Sequence, residues 1–197
     1  MHSLTQLYNQ ALMRVGGDQL PVDVDYSRDT SGIICVNAFP HVLDVALSAY
    51  DWNFALTRAA LTKAAGAQNP ATPRWRFRYT LPAGCMRVVR LDGELSRNRM
   101  PLHMTEGQHL FTDRDGAVLV YVARGEDPAR WPGYFAEALV WGMAAELSAA
   151  RNNDARKQQW FAENFRNALR EGIALDVVQQ PPRVAKARSP WSEARFG

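Results

Sequence analysis

The sequence predicts an α+β protein: an antiparallel helical bundle with an inserted small antiparallel β-sheet subdomain and an extended C-terminal tail. Apolar residues recur at helical spacing near both ends of the chain, whereas the middle alternates between apolar and polar residues. Pro181-Pro182 ends the last helical pattern. We therefore assign residues 1–62 and 128–178 to the bundle, 74–124 to the β subdomain and 179–197 to the tail.

The composition is that of a globular chain. Of its 197 residues, 47% are hydrophobic and 22% are charged, which excludes a disordered or collagen-like protein. No run of about 18 apolar residues occurs, so we expect no transmembrane helix and no membrane partner. The first residues lack the basic and apolar regions of a secretory signal. Cys35 and Cys85 are too few for a disulfide framework, and we expect synthesis in a reducing cytoplasm.

The excess positive charge lies in the predicted tail. The whole chain has a net charge of +3, and residues 179–197 alone contribute +3. The basic residues of the tail are Arg183, Lys186, Arg188 and Arg195. Because the remaining residues are neutral overall, the body of the chain does not have the charge of a nucleic-acid scaffold. A basic tail favours docking on a partner.

The first predicted helix runs from Leu4 to about Val15. Ser3 and Gln6 have the spacing of a capping box, in which each side chain satisfies the backbone N–H of the other. Gly16-Gly17 is predicted to end the helix, because glycine reaches the left-handed conformation at low cost. Polar residues 18–28 predict a loop.

The second predicted helix starts near Asp29-Thr30-Ser31, which are good N-cap residues, and runs to about Tyr50. Pro40 lies within it and predicts a kink or a break, because proline lacks an N–H and clashes with the preceding turn. Trp52 and Phe54 follow the helix and are predicted to fill the gap between the helices and the next segment.

The middle of the chain predicts one small antiparallel sheet. Residues 63–74 are rich in Ala, Gly and Pro and predict a linker. Basic and aromatic residues alternate over residues 74–79, as expected for a half-buried strand with a basic outer face. Further strands are predicted over residues 86–91, 109–112 and 117–123, with a hairpin connection through residues 113–116.

Two long helices are predicted at the end of the bundle, over about residues 133–150 and 155–177. The short connection between them implies an antiparallel pair. The second helix is predicted to turn an apolar face toward the core. That face comprises Trp160, Phe161, Phe165, Ala168, Leu169 and Leu175.

No motif for catalysis or metal binding is present in the sequence. The four histidines and two cysteines lack partners at metal-ligand spacing, and neither a P-loop nor a G-x-S-x-G elbow occurs. Glu137 and Glu146 lie too far apart along one helix to form a glycosidase pair. We therefore expect no enzyme activity, no metal and no cofactor.

Short motifs follow one another in a fixed order along nearly the whole chain. They are Ala11-Leu12-x-x-Val15-Gly16, a helix that leads into Trp52-Asn53-Phe54-Ala55, a strand that ends in Leu81-Pro82, the helical segment Glu137-Ala138-Leu139, and the partner helix 160–179. This order resembles the head-to-tail adaptors of short-tailed bacteriophages, the tail accessory factor or tail tubular A proteins. The motif residues that carry the resemblance best are Phe39, Pro40, Asp44, Trp52, Asn53 and Phe54. Family members often have Tyr in place of Phe39 and Arg in place of Leu43.

The resemblance implies a structural virion protein without catalysis. Such adaptors form a ring, typically dodecameric, beneath the portal, extend the DNA channel without sequence-specific binding, and offer a platform to the next tail or nozzle protein. The C-terminal segment embraces the portal, so in this chain residues 179–197 would dock. The docking residues would be Arg183, Lys186, Arg188, Pro190, Trp191, Arg195 and Phe196. The chain would be made in the host bacterial cytoplasm and reside at the head–tail interface.

Two alternative functions stay open. A nucleic-acid-binding module could use the basic strand face of Arg74, Arg76 and Arg78, although a stacking platform needs aromatic and basic side chains on the same face. A tail-associated peptidoglycan hydrolase would need a catalytic carboxylate. The candidates are Glu137, Glu146 and Glu163.

Overall fold

The structure, a computed structural model, describes residues 3–21, 25–26, 28–64, 75–92, 102–151 and 154–179. These residues confirm the predicted α+β class. The helices are α1 (Leu4–Arg14), α2 (Thr30–Ser48), α3 (Gly133–Arg151) and α4 (Ala155–Val178). The strands are β1 (Leu56–Ala60), β2 (Thr62–Lys63), β3 (Phe77–Thr80), β4 (Cys85–Leu91), β5 (His103–Glu106), β6 (His109–Thr112) and β7 (Val118–Ala123).

Local sequence signals set the helix ends. The Ser3 hydroxyl accepts a hydrogen bond from the Gln6 N–H and the Gln6 side chain accepts one from the Ser3 N–H, both at 3.1 Å, which confirms the capping box. Asp29 caps α2 by accepting a bond from the Gly32 N–H at 2.8 Å. Gly16 has a φ of 72° just after α1, so the predicted left-handed stop is also confirmed.

Helix α2 continues through Pro40 without interruption, so the break considered at this position does not occur. Pro40 is exposed, whereas the adjacent Phe39 and Val42 are buried in the core. The carbonyl that loses its donor belongs to Val36, which is also exposed and can bond water instead. Burial of the inner face on both sides of Pro40 holds the two halves in one helix.

Helix α2 has the length and composition of a membrane span, with a mean hydropathy of 1.4, and 44% of that window is buried within the fold. Its inner face contributes Cys35, Leu43 and Leu47 to the helical core. Its outer face carries three exposed apolar side chains. They are Ile33, Val36 and Val45, each 41–43% exposed. The helix is therefore a core element whose exposed surface combines these apolar side chains with polar ones such as Asn37 and His41.

Helix α3 is the centre of the bundle and contacts α1, α2 and α4. Its buried side chains recur every four residues, at Phe135, Leu139, Met143 and Leu147, so one face of the helix is apolar along its whole length. Contacts between the start of α3 and the end of α4, such as Tyr134 with Asp176, confirm that the two helices are antiparallel.

The predicted inner face of α4 is partly wrong. Trp160 and Leu175 are each 53% exposed, whereas Phe161, Ala168 and Leu169 are buried as predicted. The buried stripe of α4 continues through Gly172 and Asp176, at spacings of four residues from Ala168. Trp160 and Leu175 each lie one position away from this stripe and are therefore only partly covered by the rest of the bundle.

The seven strands form two antiparallel sheets, with strand order β1-β7-β4 in the first and β2-β3-β6-β5 in the second. Strand β7 is buried on both faces. Leu119 and Tyr121 share a small core with Tyr79 and Leu110 of the second sheet, whereas Val122 joins the helical core. The first sheet therefore lies between the helices and the second sheet.

The prediction of a single sheet with a hairpin through residues 113–116 is wrong. Strand β6 pairs with β3 and β5, and β7 pairs with β1 and β4, so residues 113–116 cross between the sheets. The hairpin is instead β5–β6, with Gly107 at a φ of 56° in its turn. The apolar run over residues 117–123 reflects a central strand buried on both faces, rather than one arm of a half-buried hairpin.

The bundle boundary at residue 62 is also corrected, because β1 lies before it and β2 spans it. Strand β1 is an edge strand that pairs with β7, and only Leu56 and Ala59 are half-buried in it. The weak apolar alternation that results gave no strand signal in the sequence. Lys63, predicted to start the linker, belongs to β2, and residues 65–74 of that linker lie outside the described residues.

The crossing of α2, α3 and α4 depends on the absence of a side chain at Gly142. A Cβ placed there would lie 2.5 Å from Val42 Cγ1 and 3.2 Å from the Phe165 ring. We expect Gly142→Ala to lower the free energy of unfolding by about 1–3 kcal/mol, because overpacking at this crossing outweighs the higher helix propensity of alanine. Urea unfolding followed by circular dichroism measures the change.

Gly133→Ala, at the open start of α3, is the matched control, since a Cβ there meets no atom within 4 Å. A second test adds Val42→Ala, which removes the clashing methyl group and should recover part of the stability lost in Gly142→Ala. Equal or higher stability of Gly142→Ala relative to the unmodified chain would show that the crossing is not tightly packed.

Candidate functional site

Trp52 is the centre of the segment that the sequence singles out. Its side chain is fully buried, and its Nε1–H donates a hydrogen bond to the Ala46 carbonyl at 2.8 Å. Its ring stacks on Tyr134 at 6.2 Å and meets the Phe135 ring edge-to-face at 5.2 Å. Phe54 packs on the same Phe135 ring at 4.7 Å. The predicted filling of the gap after α2 is therefore confirmed, and α3 supplies its opposite wall.

Asn53 ties this segment to the last turn of α4. Its backbone N–H donates to Asp176 Oδ2 at 3.0 Å, and its side-chain Nδ2 donates to the Asp176 carbonyl at 2.8 Å. The Tyr134 hydroxyl donates to Asp176 Oδ1 at 2.6 Å. Asp176 is fully buried, so both carboxylate oxygens are satisfied inside the protein. We refer to Asn53, Tyr134 and Asp176 as the polar knot.

Burial raises the pKa of the Tyr134 phenol above its ordinary value, and the hydrogen bond to the negatively charged Asp176 raises it further. The phenol therefore stays protonated and remains a donor to Asp176 under physiological conditions. The sequence analysis did not single out Asp176 as a partner of Asn53. The two residues are 123 positions apart, and only the antiparallel return of α4 brings them together.

The remaining motif residues join α1, α2 and the first sheet. Phe39 is buried and its ring lies 5.8 Å from the Tyr8 ring and 6.0 Å from the Trp131 ring. Asp44 forms an ion pair at 3.1 Å with Arg124, the residue that directly follows β7. Five of the six motif residues therefore connect different elements of the fold. The sixth, Pro40, faces solvent.

All seven predicted docking residues of the tail lie outside the described residues. They are Arg183, Lys186, Arg188, Pro190, Trp191, Arg195 and Phe196. The last described residue is Gln179, which caps α4. It directly follows Val178, which is 81% exposed. The chain therefore leaves α4 at an exposed point three residues after the polar knot.

The basic face of β3 has the predicted arrangement in its described part, residues 75–80. Arg76 is exposed and Arg78 is half-buried, while the intervening and following aromatics, Phe77 and Tyr79, turn inward. Lys63 covers one face of the Phe77 ring at 4.6 Å and Phe77 is partly buried against the core of the sheets, so the ring is a poor stacking platform for a base.

Three further cations in the two sheets form ion pairs with aspartates. Arg58 pairs with Asp92 at 3.8 Å and Lys63 with Asp115 at 2.7 Å. Arg87 of β4 pairs with Asp51 after α2. These pairs lower the free positive charge that a nucleic-acid-binding face would need.

Two of the three candidate hydrolase carboxylates contact other side chains of the bundle. Glu137 forms an ion pair with Arg14 at 2.7 Å, and Glu163 accepts a hydrogen bond from Gln159 at 3.0 Å. Glu146 is half-buried on α3. Among the described residues, no three His, Cys, Asp or Glu side chains come together in a metal-binding arrangement.

Comparisons with known proteins add no family: no protein-family model matches the chain, and no curated protein matches it.

Removal of one hydroxyl tests the polar knot. We expect Tyr134→Phe to lower the free energy of unfolding by about 1.5–3 kcal/mol, because it leaves one oxygen of a buried carboxylate without its donor. Chemical unfolding monitored by tryptophan fluorescence measures this. The matched control is Tyr121→Phe, which removes the hydroxyl of another buried tyrosine that makes no hydrogen bond within the described residues, and it should cost clearly less. Equal losses in the two variants would contradict a special role for Tyr134.

Proposed function

We propose that this chain is a structural protein of a bacteriophage virion, a head-to-tail adaptor that assembles as a ring beneath the portal. It would extend the DNA channel without sequence-specific binding and carry the next tail or nozzle protein. In this role it is not an enzyme and needs no cofactor or membrane. It would be made in the bacterial cytoplasm and act at the head–tail interface.

The observation that carries the proposal is the polar knot between the Trp52-Asn53-Phe54 segment and α4. This segment is the most specific part of the resemblance to phage adaptors. Its contact with Asp176 fixes the end of α4, from which residues 180–197 continue. A docking segment that starts from a fixed point loses less freedom on binding than one that starts from a mobile point. The polar knot thus supports a role for the last residues in docking.

The composition of residues 180–197 suits a portal partner. Trp191 and Phe196 would be apolar anchors, because aromatic side chains dominate the energetics of interfaces. The basic residues Arg183, Lys186, Arg188 and Arg195, spaced along the segment with Pro190, would pair with acidic groups and set its register. Repetition around a ring would strengthen a weak contact through effective concentration.

Assembly as a ring is supported by the outer face of α2. Ile33, Val36 and Val45 are exposed on a helix whose one charged residue, Asp44, is paired with Arg124. Exposed apolar side chains on a helix whose one carboxylate is already paired suit a surface that another protein covers. Neighbouring copies in a ring would provide that cover.

The proposal is tested by co-sedimentation of the chain with its own portal ring. Full-length chain is compared with a chain that ends at Val178 and with the double variant Trp191→Ala, Phe196→Ala. We expect saturable binding by the full-length chain, at least about tenfold weaker binding by the double variant, and none by the truncated chain. Ser189→Ala, in the same segment, is the matched control and should bind as the full-length chain does.

Binding by both the full-length and the truncated chain would move the portal contact to the folded residues. If neither chain bound an intact portal ring, the head-to-tail role would be rejected. Nucleic-acid binding and peptidoglycan cleavage by the unmodified chain would then be measured. A hydrolase would lose its activity in one of the variants Glu137→Gln, Glu146→Gln and Glu163→Gln.

A further inference from the structure

An open cavity of about 350 Å³ lies where α1 ends and α4 begins. Its lining consists of Arg14, Val15, Lys157, Trp160 and Phe161, and we call it the Arg14–Trp160 pocket. Its volume lies at the lower end of the range of small-ligand sites and is large enough for one or two amino-acid side chains. Two of its lining residues are cationic and none is acidic.

The aromatic wall of the pocket belongs to α4 and is supported from behind by α3. The Trp160 ring stands edge-to-face against Phe161 at 4.9 Å and against Trp141 of α3 at 5.6 Å. Trp160 nevertheless remains 53% exposed, and Met13 beside the pocket is 60% exposed. The contacts therefore fix the orientation of the indole without burying it. An exposed tryptophan held in one orientation is typical of a binding hot spot.

Arg14 is held at the rim by two contacts. Its Nη2 donates to Glu137 at 2.7 Å, and its guanidinium lies 3.9 Å from the centre of the Trp141 ring. Its Nη1 is shielded from solvent and has no hydrogen-bond acceptor among the described residues. One partly exposed glutamate therefore engages only one edge of this guanidinium, and Arg14 contributes positive charge to the lining of the pocket.

The first turn of α4 has an unfavourable charge for its position. It carries Arg156 and Lys157 and no acidic residue. The N-terminal end of a helix carries partial positive charge, which favours acidic residues there. Asp154 caps the helix and accepts from both backbone N–H groups, but its carboxylate does not line the pocket. Helix stability therefore does not explain the two cations in this turn, which lie next to an exposed tryptophan.

We propose that the Arg14–Trp160 pocket binds an acidic peptide segment of another protein, with one apolar or aromatic side chain inserted against Trp160 and Phe161. Carboxylates on either side of that anchor would meet Arg14 and Lys157. A peptide is favoured over single-stranded nucleic acid. Only two cations line the cavity, and a nucleic acid needs a longer basic groove that follows its backbone. The pocket would serve such a partner whether or not residues 180–197 bind a portal.

The experiment is a fluorescence-anisotropy titration of the full chain with labelled short peptides. The acidic probe contains one Phe flanked by Asp and Glu. Two matched probes replace the acidic residues by Lys or the Phe by Ser, and labelled oligothymidylate is the nucleic-acid probe. We expect saturable binding of the acidic Phe probe at about micromolar to millimolar concentration, and at least about tenfold weaker binding of the other three.

Variants locate the binding. Lys157→Glu and Trp160→Ala should each weaken binding of the acidic Phe probe by about tenfold or more. Arg166→Glu reverses an exposed charge on the same helix outside the pocket and should change binding by less than about twofold. Circular dichroism confirms that each variant is folded, which is expected because the altered side chains are exposed.

Four results would overturn the proposal. They are the absence of saturable binding of the acidic Phe probe, equal binding of the probe that lacks Phe, tighter binding of oligothymidylate, and a loss in Arg166→Glu as large as in Lys157→Glu. The second and fourth would indicate a diffuse charge effect, and the third a nucleic-acid surface.

Discussion

The carboxylate of Asp176 is buried in the bundle, and the other connections of the helical half depend on how it is satisfied. A buried carboxylate without partners is strongly destabilising, so the chain must bring donors to it. Asn53 supplies its backbone N–H from the segment after α2, and Tyr134 supplies its hydroxyl from the first turn of α3. Three separate parts of the chain thus meet at one group. Trp52, next to Asn53, is held against Tyr134 and Phe135 by the same arrangement.

Signals between neighbouring residues predicted the helices well. The capping box at Ser3 and Gln6, the cap at Asp29 and the glycine stop at Gly16 each act over a few residues, and all three are confirmed. Pairing between distant strands was not predictable in the same way. Strand β1 is recognised by its contact with β7, about 60 residues later, and has little apolar alternation of its own.

In the candidate sites, too, local features were predictable from the sequence and contacts between distant residues were not. The sequence singled out Trp52 and Phe54 as large aromatic residues after a helix and Asn53 as part of the adaptor-like motif, but the partner of Asn53 lies 123 residues away. Trp160 was assigned to the core from its apolar character alone. Its position one residue off the buried stripe of α4 leaves it 53% exposed in the lining of the Arg14–Trp160 pocket, although its ring still contacts α3. The docking residues of the tail and the head-to-tail role stay predictions.

The insertion of the β strands between α2 and α3 has a consequence for synthesis on the ribosome. α3 is the helix that α1 and α2 pack against, yet it begins roughly 80 residues after α2 ends. At about 5–20 residues per second, the ribosome needs roughly 4–16 s to make that interval. During this time the apolar faces of α1 and α2 that pack on α3 lack that partner, although Tyr8 of α1 and Phe39 of α2 are already available to contact each other. The nascent protein is therefore a natural client for chaperones that bind exposed apolar helices, and its yield should depend on translation speed between residues 49 and 151.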